Sequence, residues 1–426
     1  MFNPLKYSKK SKKSKKSKKS KKSKKSRKIR PGLRKSRKTT TGSKKTLLKN
    51  KTPKDILKLS KEISSNLPPN RASGIRSINR IASASSYSPS INEELITLKS
   101  IPRGKLSDCN NISAFQLKEP LKISVPQKWF GKKCLIYDDA DAIKFLLNNL
   151  SANKHVDASK VVPPIQLKSN CWFNTMFVTL FVSDKGRKFF HYFRQLMIEG
   201  KQSNGTPIPP GLRNAFSLLN FAIEASLTGN RYAYEMDTNN IIRQVYTAIP
   251  DEYHTKLPYV VKVDEASNPI KYYNSIINYL NNNALQILFV SDIKTTKWKD
   301  RVKKEMRGGK PHIIILEIFD AVNEMSGFSG EITDKVQQFS VNDATYELDS
   351  CIVRDIEQQH FCATITVEGK EMGYDGMSFH RLVPMKWREM LNKKDKWRFE
   401  GSNNLDGSPL EWSFLHGYQM LIYYRI

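Results

Sequence analysis

The sequence predicts an α+β domain, helical in its first half and built on a mostly antiparallel sheet in its second, preceded by a disordered basic arm. Three observations carry that reading. Of 43 Phe, Trp and Tyr residues, only Phe2, Tyr7, Tyr87 and Phe115 precede Trp129, so a core of large apolar side chains must lie downstream of about residue 128. Between residues 170 and 250 apolar side chains recur every three or four positions, and beyond residue 285 they come in short β-branched and aromatic runs. Helices first and strands afterwards form separate layers, the α+β pattern.

The arm comes first in the chain. The 426 residues carry a formal net charge of +32. Residues 1–50 hold 23 basic residues and no acidic one, and the other 376 residues have a net charge of only +9. Ser8, Ser11, Ser14, Ser17, Ser20, Ser23 and Ser26 each open an SKK or SRK unit. Such a segment repels itself and buries nothing, so it is expected to be disordered in isolation. It suits an arm that condenses on nucleic acid or another polyanion with release of counterions. A nuclear-import address and a solubilising tail are the other readings of the same residues. Phosphorylation of the serines would cancel much of its charge. Residues 51–128, rich in Ser, Asn, Lys and Pro, read as a low-complexity linker with short helical stretches at 54–62 and 92–101.

The composition excludes several classes. No apolar run reaches the roughly 18 residues of a membrane span. The charged N-terminus has no apolar stretch behind it, unlike a secretory signal, which points to the cytoplasm or nucleus. Cys109, Cys134, Cys171, Cys351 and Cys362 are too few and too scattered for a disulfide scaffold. They form no CxxC pair, which argues against a Cys-type zinc finger, and a reducing compartment is the simplest assumption.

From Trp129 a globular domain is expected to run to residue 426. Residues 129–150 read as a short strand and an amphipathic helix. Trp172, Phe173, Met176, Phe177, Leu180 and Phe181 give one apolar face to a buried helix starting near Asn170. Helices also fit 187–199, 209–228 and 238–248. Strands fit 284–290, 312–320, 346–355, 360–369, 371–376 and 418–426, with a hairpin turn over Glu368, Gly369 and Lys370.

Two segments carry chemistry. The first holds Gln166, Cys171 and Asn174. A cysteine at the opening of a helix sits where backbone N–H groups and the helix dipole favour a thiolate, the nucleophile of acyl transfer. Gln166, five residues upstream, is placed to loop back and donate to the oxyanion formed on an attacked carbonyl. The second segment holds His360, just before a strand, and Asp375, at the end of the next. A hairpin turning near 368–370 brings these positions alongside each other, so that the acid orients the imidazole and stabilises its protonated form. The plainer alternatives are a buried core cysteine and a surface histidine beside a turn aspartate. The other six histidines fit less well, and His312 lacks an acid at hairpin distance.

Cys171, Trp172, Phe173, Asn174 and Thr175 resemble the cysteine box of the ubiquitin-specific proteases, and Gln166 falls where that family carries its oxyanion-hole amide, usually Asn. The strand from Tyr346 to Ile352, then His360, a hairpin, Tyr374 and Asp375, resembles their histidine box. Residues 417–426 are similar to their closing strand. The chain differs in having Lys168, Ser169 and Asn170 where the family has Gly-Asn-Thr, Gln359 for the glycine before the histidine and Gly376 for a second acid. The zinc-binding CxxC pairs of many members are missing. Gln166, Cys171 and Trp172 also resemble papain, whose third catalytic residue lies in a Lys-Asn-Ser-Trp-Gly context that does not follow His360. Either resemblance implies the papain-like fold, with a helical half carrying the cysteine and a sheet half carrying the histidine. It implies a thiol-dependent peptidase with Cys171 as nucleophile, His360 as base and acid, Asp375 as orienting group and no metal or organic cofactor. The implied substrate is a ubiquitin-like tail. The Lys/Asn/Ile-rich usage and the SKK arm resemble proteins of large DNA viruses, which brings in a virion structural precursor as the second substrate class. A catalytically degenerate scaffold acting through the basic arm is the non-enzymatic alternative.

Overall fold

The computed structural model describes residues 75–77, 109, 111–127 and 131–426, apart from 117, 153–154, 231, 281–285, 294–296, 319–333, 357–359, 405 and 417. The basic arm, the helical stretches at 54–62 and 92–101, Gln359 and Gly417 lie outside these residues.

The order of elements follows the expected pattern, helices and then strands. A three-residue strand β1 (Ile75–Ser77) comes first, then a helical turn α1 (Ile112–Phe115) and a hairpin of β2 (Lys122–Gln127) and β3 (Gly131–Ile136). The helices α2 (Ala140–Ala152), α3 (Cys171–Phe177), α4 (Asp184–Phe189), α5 (His191–Glu199), α6 (Pro210–Thr228), α7 (Tyr232–Glu235), α8 (Asn239–Ala248), α9 (Asp251–His254) and α10 (Pro269–Tyr279) follow. The remainder is β4 (Ile287–Ile293), α11 (Trp298–Met306), β5 (Ile313–Ile318), β6 (Gln338–Val341), β7 (Ala344–Arg354), β8 (Phe361–Val367), β9 (Lys370–Tyr374), β10 (Leu382–Pro384), β11 (Lys396–Phe399), β12 (Trp412–Ser413) and β13 (Gln419–Arg425).

The main sheet has eight strands in the order β10-β9-β8-β7-β13-β5-β4, with β6 paired to β7. All its pairings are antiparallel except β4 with β5, the two strands joined through α11. Side chains alternate across it. Ile313, Ile315, Ala363, Ile365, Met420, Ile422 and Tyr424 face the helices, in one apolar core with Phe173, Phe177, Phe181, Phe216 and Tyr272. Ile314, Leu316, Cys362, Leu421 and Tyr423 face the other way, into a second core with Trp298, Trp387, Trp397, Trp412 and Phe414. A sheet covered on both faces needs apolar residues at every position, which is why these strands read as continuous apolar runs.

The fold begins earlier than the change of composition at Trp129. Phe115, Ile123 and Val125 are buried in the helix-side core, so residues 111–127 belong to the domain and not to a linker. The Lys, Ser and Pro residues around Ile123 and Val125 disguise a strand whose centre, Ile123 to Val125, is buried. The cysteine reading is corrected too: Cys109 and Cys134 form a disulfide, their Cα atoms 5.9 Å apart, which fastens Cys109 to β3. Cys171, Cys351 and Cys362 are free and buried. Among the described residues no helix is long and apolar enough to cross a membrane.

The β8–β9 hairpin is the element that positions the site. Its turn puts Glu368 at φ 50° and Gly369 at φ 71°, the left-handed pair that a two-residue hairpin turn requires. Asp184, at the start of α4, accepts from the backbone N–H of Glu368 at 2.7 Å and of Gly369 at 2.9 Å. The Glu368 carboxylate is buried against Arg187 at 2.7 Å and accepts from the Val156 N–H at 2.8 Å. Burial lifts the Glu368 carboxyl above its ordinary value, and Arg187 opposes that rise. The closed end of the hairpin is thus clamped to the helical half, and its open end carries His360 and Asp375.

Candidate active site

Cys171 opens α3, a helix buried along its whole length that continues into a five-residue π-helical stretch, Val178–Val182. Its start is fixed by a buried relay. Asn170 Nδ2 donates to Thr238 Oγ1 at 2.9 Å, and Thr238 Oγ1 donates to Asn174 Oδ1 at 2.8 Å. Asn174, one turn after the cysteine, also donates from Nδ2 to the Ile165 carbonyl at 3.2 Å. The polar residues around Cys171 therefore hold the helix start and the preceding strap in place.

That strap, residues 163–166, is bound to the sheet half by three further hydrogen bonds. Arg381 Nη1 donates to the Pro163 carbonyl at 2.6 Å, Tyr374 Oη to the Pro164 carbonyl at 2.8 Å, and the Gln166 N–H to the Gly376 carbonyl at 2.9 Å. The last contact joins the segment before the cysteine to the residue after Asp375. A Cβ at Gly376 would lie 3.0 Å from both Gln166 N and Tyr374 Oη, so a larger residue there would press the strap outward. This accounts for glycine where the resembled family often carries a second acid. The Gln166 side-chain oxygen is buried without a hydrogen-bond partner among the described residues. A half-turn of the amide exchanges that oxygen for its NH2 group.

The open end of the hairpin brings His360 and Asp375 together. His360 Nε2 lies 2.6 Å from Asp375 Oδ1. The imidazole is 4 % exposed and the carboxylate fully buried, so the pair is shielded from water. The other carboxylate oxygen, Oδ2, accepts from Ser402 Oγ, and Oδ1 also accepts from the Met377 N–H at 3.2 Å. Asp355 holds the backbone of His360 from both sides: its Oδ1 accepts from the His360 N–H at 2.6 Å, and its own N–H donates to the His360 carbonyl at 2.8 Å. Trp412 packs edge-on to the imidazole at 5.9 Å between ring centroids.

Cys171 is among the groups whose charge acts on the His360 ring. Nε2 is engaged by Asp375, and Nδ1 is the other nitrogen of the ring. Burial works against a charged imidazole here, but the charge and hydrogen bond of Asp375, followed by those of Cys171, outweigh it and push His360 up to about 10. At neutral pH the ring is therefore protonated. Burial pushes Cys351 up to about 12 and Cys362 well above its ordinary value, so both stay as inert thiols.

The Gln166 N–H on the Gly376 carbonyl thus joins the segment of Cys171 to that of His360 and Asp375, some 190 residues away in sequence. His312 lies elsewhere, its Nδ1 accepting from the Gln286 N–H at 3.1 Å. Thr238, Asp355, Ser402 and Trp412 were not legible as site residues. Each acts through one or two hydrogen bonds or a ring contact, and no local pattern marks it.

No family model matches the chain, and no curated protein matches it. Solved structures do. The SAGA DUB module of Ubp8, Sgf11, Sus1 and Sgf73 bound to monoubiquitin is similar over 63 % of this chain and 69 % of that one, at 9 % identity and a TM-score of 0.36. The same module bound to ubiquitin aldehyde is similar over 63 % and 70 %, at 11 % identity and a TM-score of 0.36. An essential yeast splicing factor is similar over 72 % of this chain and 83 % of its own, at 9 % identity and a TM-score of 0.33.

Proposed function

We propose that the chain is a thiol hydrolase of papain-like architecture that cleaves a peptide or isopeptide bond through a thioester. The observation that carries this reading is the buried His360–Asp375 pair, 2.6 Å apart, on a ring that Cys171 also influences electrostatically. A histidine held between a carboxylate and a cysteine at a helix start is the arrangement a nucleophilic thiol needs.

Cys171 attacks the substrate carbonyl as a thiolate, its proton carried by His360. The new S–C bond places a negative charge on the carbonyl oxygen, which the Cys171 N–H and the Gln166 amide stabilise. His360 gives its proton to the departing nitrogen, the C–N bond breaks, and a thioester remains on Cys171. Water then attacks the thioester with His360 as base, releasing a carboxylate product and restoring the thiol. Asp375 keeps Nε2 engaged throughout, so that Nδ1 serves both transfers. The substrate is the extended tail of ubiquitin or a ubiquitin-like protein, by the resemblance of the two boxes.

The test is incubation with a ubiquitin suicide probe, beside a library of short peptides and a small thiol-alkylating reagent. The expected result is a single modified residue, Cys171, and no turnover by Cys171→Ala. Cys351 and Cys362 should stay unmodified in the folded protein. Wild-type turnover by Cys171→Ala would sink the assignment. Peptide cleavage without reaction at the ubiquitin probe would keep the chemistry and move the substrate to another protein.

A further inference from the structure

We propose that α11 and the turn after it, residues 297–310, form a second surface for nucleic-acid phosphate, built into the folded domain and separate from the basic arm. Residues 129–426 hold 36 basic and 34 acidic residues. Within them, residues 297–310 hold seven basic and two acidic ones, a net charge of +5, while the rest of that span is net −3. The patch is therefore a local concentration against an otherwise slightly acidic domain.

The helix is built to present these charges. Trp298, Val302 and Met306, four residues apart, are buried in the core on the far side of the sheet. Trp298 is held further by its Nε1 donating to Asp334 Oδ1 at 3.2 Å. The opposite face is exposed: Lys297, Lys299, Lys303, Lys304, Arg307 and Lys310 all stand in solvent, and none forms an ion pair with a described residue. Arg301 is paired with Glu305 at 2.9 Å, which leaves Asp300 as the only exposed carboxylate in the segment. Arg307 takes a left-handed conformation, φ 49°, and turns the chain so that Lys310 follows round the end of the helix. Asn342 Nδ2 pins that turn at the Gly309 carbonyl, 3.3 Å away.

Helix stability does not account for the pattern. Lys303 and Lys304 in the last turn suit the negative end of the helix dipole, but Lys297 and Lys299 sit at the positive end, where cations are disfavoured. A polyanion laid across the exposed face offsets that cost. The patch contains no exposed large apolar side chain, as a membrane-surface helix would. It also contains no exposed aromatic ring on which an unpaired base could stack. Its chemistry is that of phosphate contact, sequence-independent and suited to duplex backbone. The arm, with 23 basic residues in 50, calls for the same kind of partner.

The full chain is tested for binding to a duplex of about 40 base pairs across a salt series. The wild type is compared with the fourfold variant Lys299→Gln, Lys303→Gln, Lys304→Gln, Arg307→Gln. The charge-matched control is Lys118→Gln, Lys133→Gln, Lys188→Gln, Lys393→Gln, four exposed lysines elsewhere. Each phosphate contact contributes about 0.9 to the slope of log Kobs against log salt. The patch variant should lose about 3 from that slope, and the control less than about 1. In the wild type, bound duplex should shield Lys299, Lys303 and Lys304 from chemical acetylation, a readout that no misfolded variant can confuse. Equal slopes for the two variants, or unshielded patch lysines, would overturn the proposal. Loss of binding to phosphatidylserine vesicles with an unchanged DNA slope would overturn it in favour of a membrane surface.

Discussion

Replacing Asp375 by Asn keeps the size of the side chain and removes its charge. In the native site burial favours a neutral imidazole, and Asp375 is the largest influence in the other direction, with Cys171 next; the outcome is a pKa of about 10 against an ordinary 6.5. Without the carboxylate, His360 should titrate at or below about 6.5. A fall of about 3.5 units at 1.36 kcal/mol per unit is about 5 kcal/mol of differential interaction, an upper value because the site relaxes around the neutral ring. The folded-state pKa is raised above the unfolded value. The pair's contribution to stability is therefore complete below about pH 6.5 and is lost as the pH rises through about 10. The stability gap between wild type and Asp375→Asn should accordingly be widest near pH 6 and close towards pH 10. The assay is an imidazole titration by NMR, paired with urea unfolding at both ends of that range. Turnover should drop by roughly two to four orders of magnitude, since the acid no longer fixes the tautomer. A His360 midpoint in the variant within about one unit of the wild type, or a stability gap independent of pH, would refute the reasoning.

Thr238→Val should cost about 2–4 kcal/mol, because it leaves Asn170 Nδ2 and Asn174 Oδ1 without their buried partner. Denaturant unfolding measures that loss, and turnover should fall with it as the start of α3 loosens. Asp349→Asn should act in the opposite direction. Burial, with the charge of Asp184, pushes the Asp349 carboxyl up to about 6, and its Oδ2 has no hydrogen-bond partner among the described residues. Its folded-state pKa stands above the ordinary 3.8, so wild-type stability falls as the pH rises through about 6. The Asn variant should be more stable at pH 8 by up to about 3 kcal/mol, with the gain vanishing below about pH 4 in thermal or urea melts.

The sequence by itself determined the order of the layers, the central strands and the two boxes of the candidate site. Helix α6 and strands β5, β7, β8 and β13 were legible because burial on one face or on both imposes a period of 3.6, a period of 2 or an unbroken apolar run. The β8–β9 hairpin was legible from Glu368, Gly369 and Lys370, and it makes the approach of His360 to Asp375 a matter of register. Strand β2 was not, since Lys, Ser and Pro surround its two buried apolar residues. The pairing of Cys109 with Cys134 depends on a Cα separation of 5.9 Å that no spacing of cysteines reveals. Only the tertiary structure decided how the boxes are held together: Thr238 between Asn170 and Asn174, Asp184 under the hairpin turn, Ser402 on Asp375, and the Gly376 carbonyl on the Gln166 N–H. A periodic pattern records which face of an element is buried, because every residue on that face meets the same environment. A single hydrogen bond between distant segments depends on a few ångströms of placement, and it leaves no repeat in the chain.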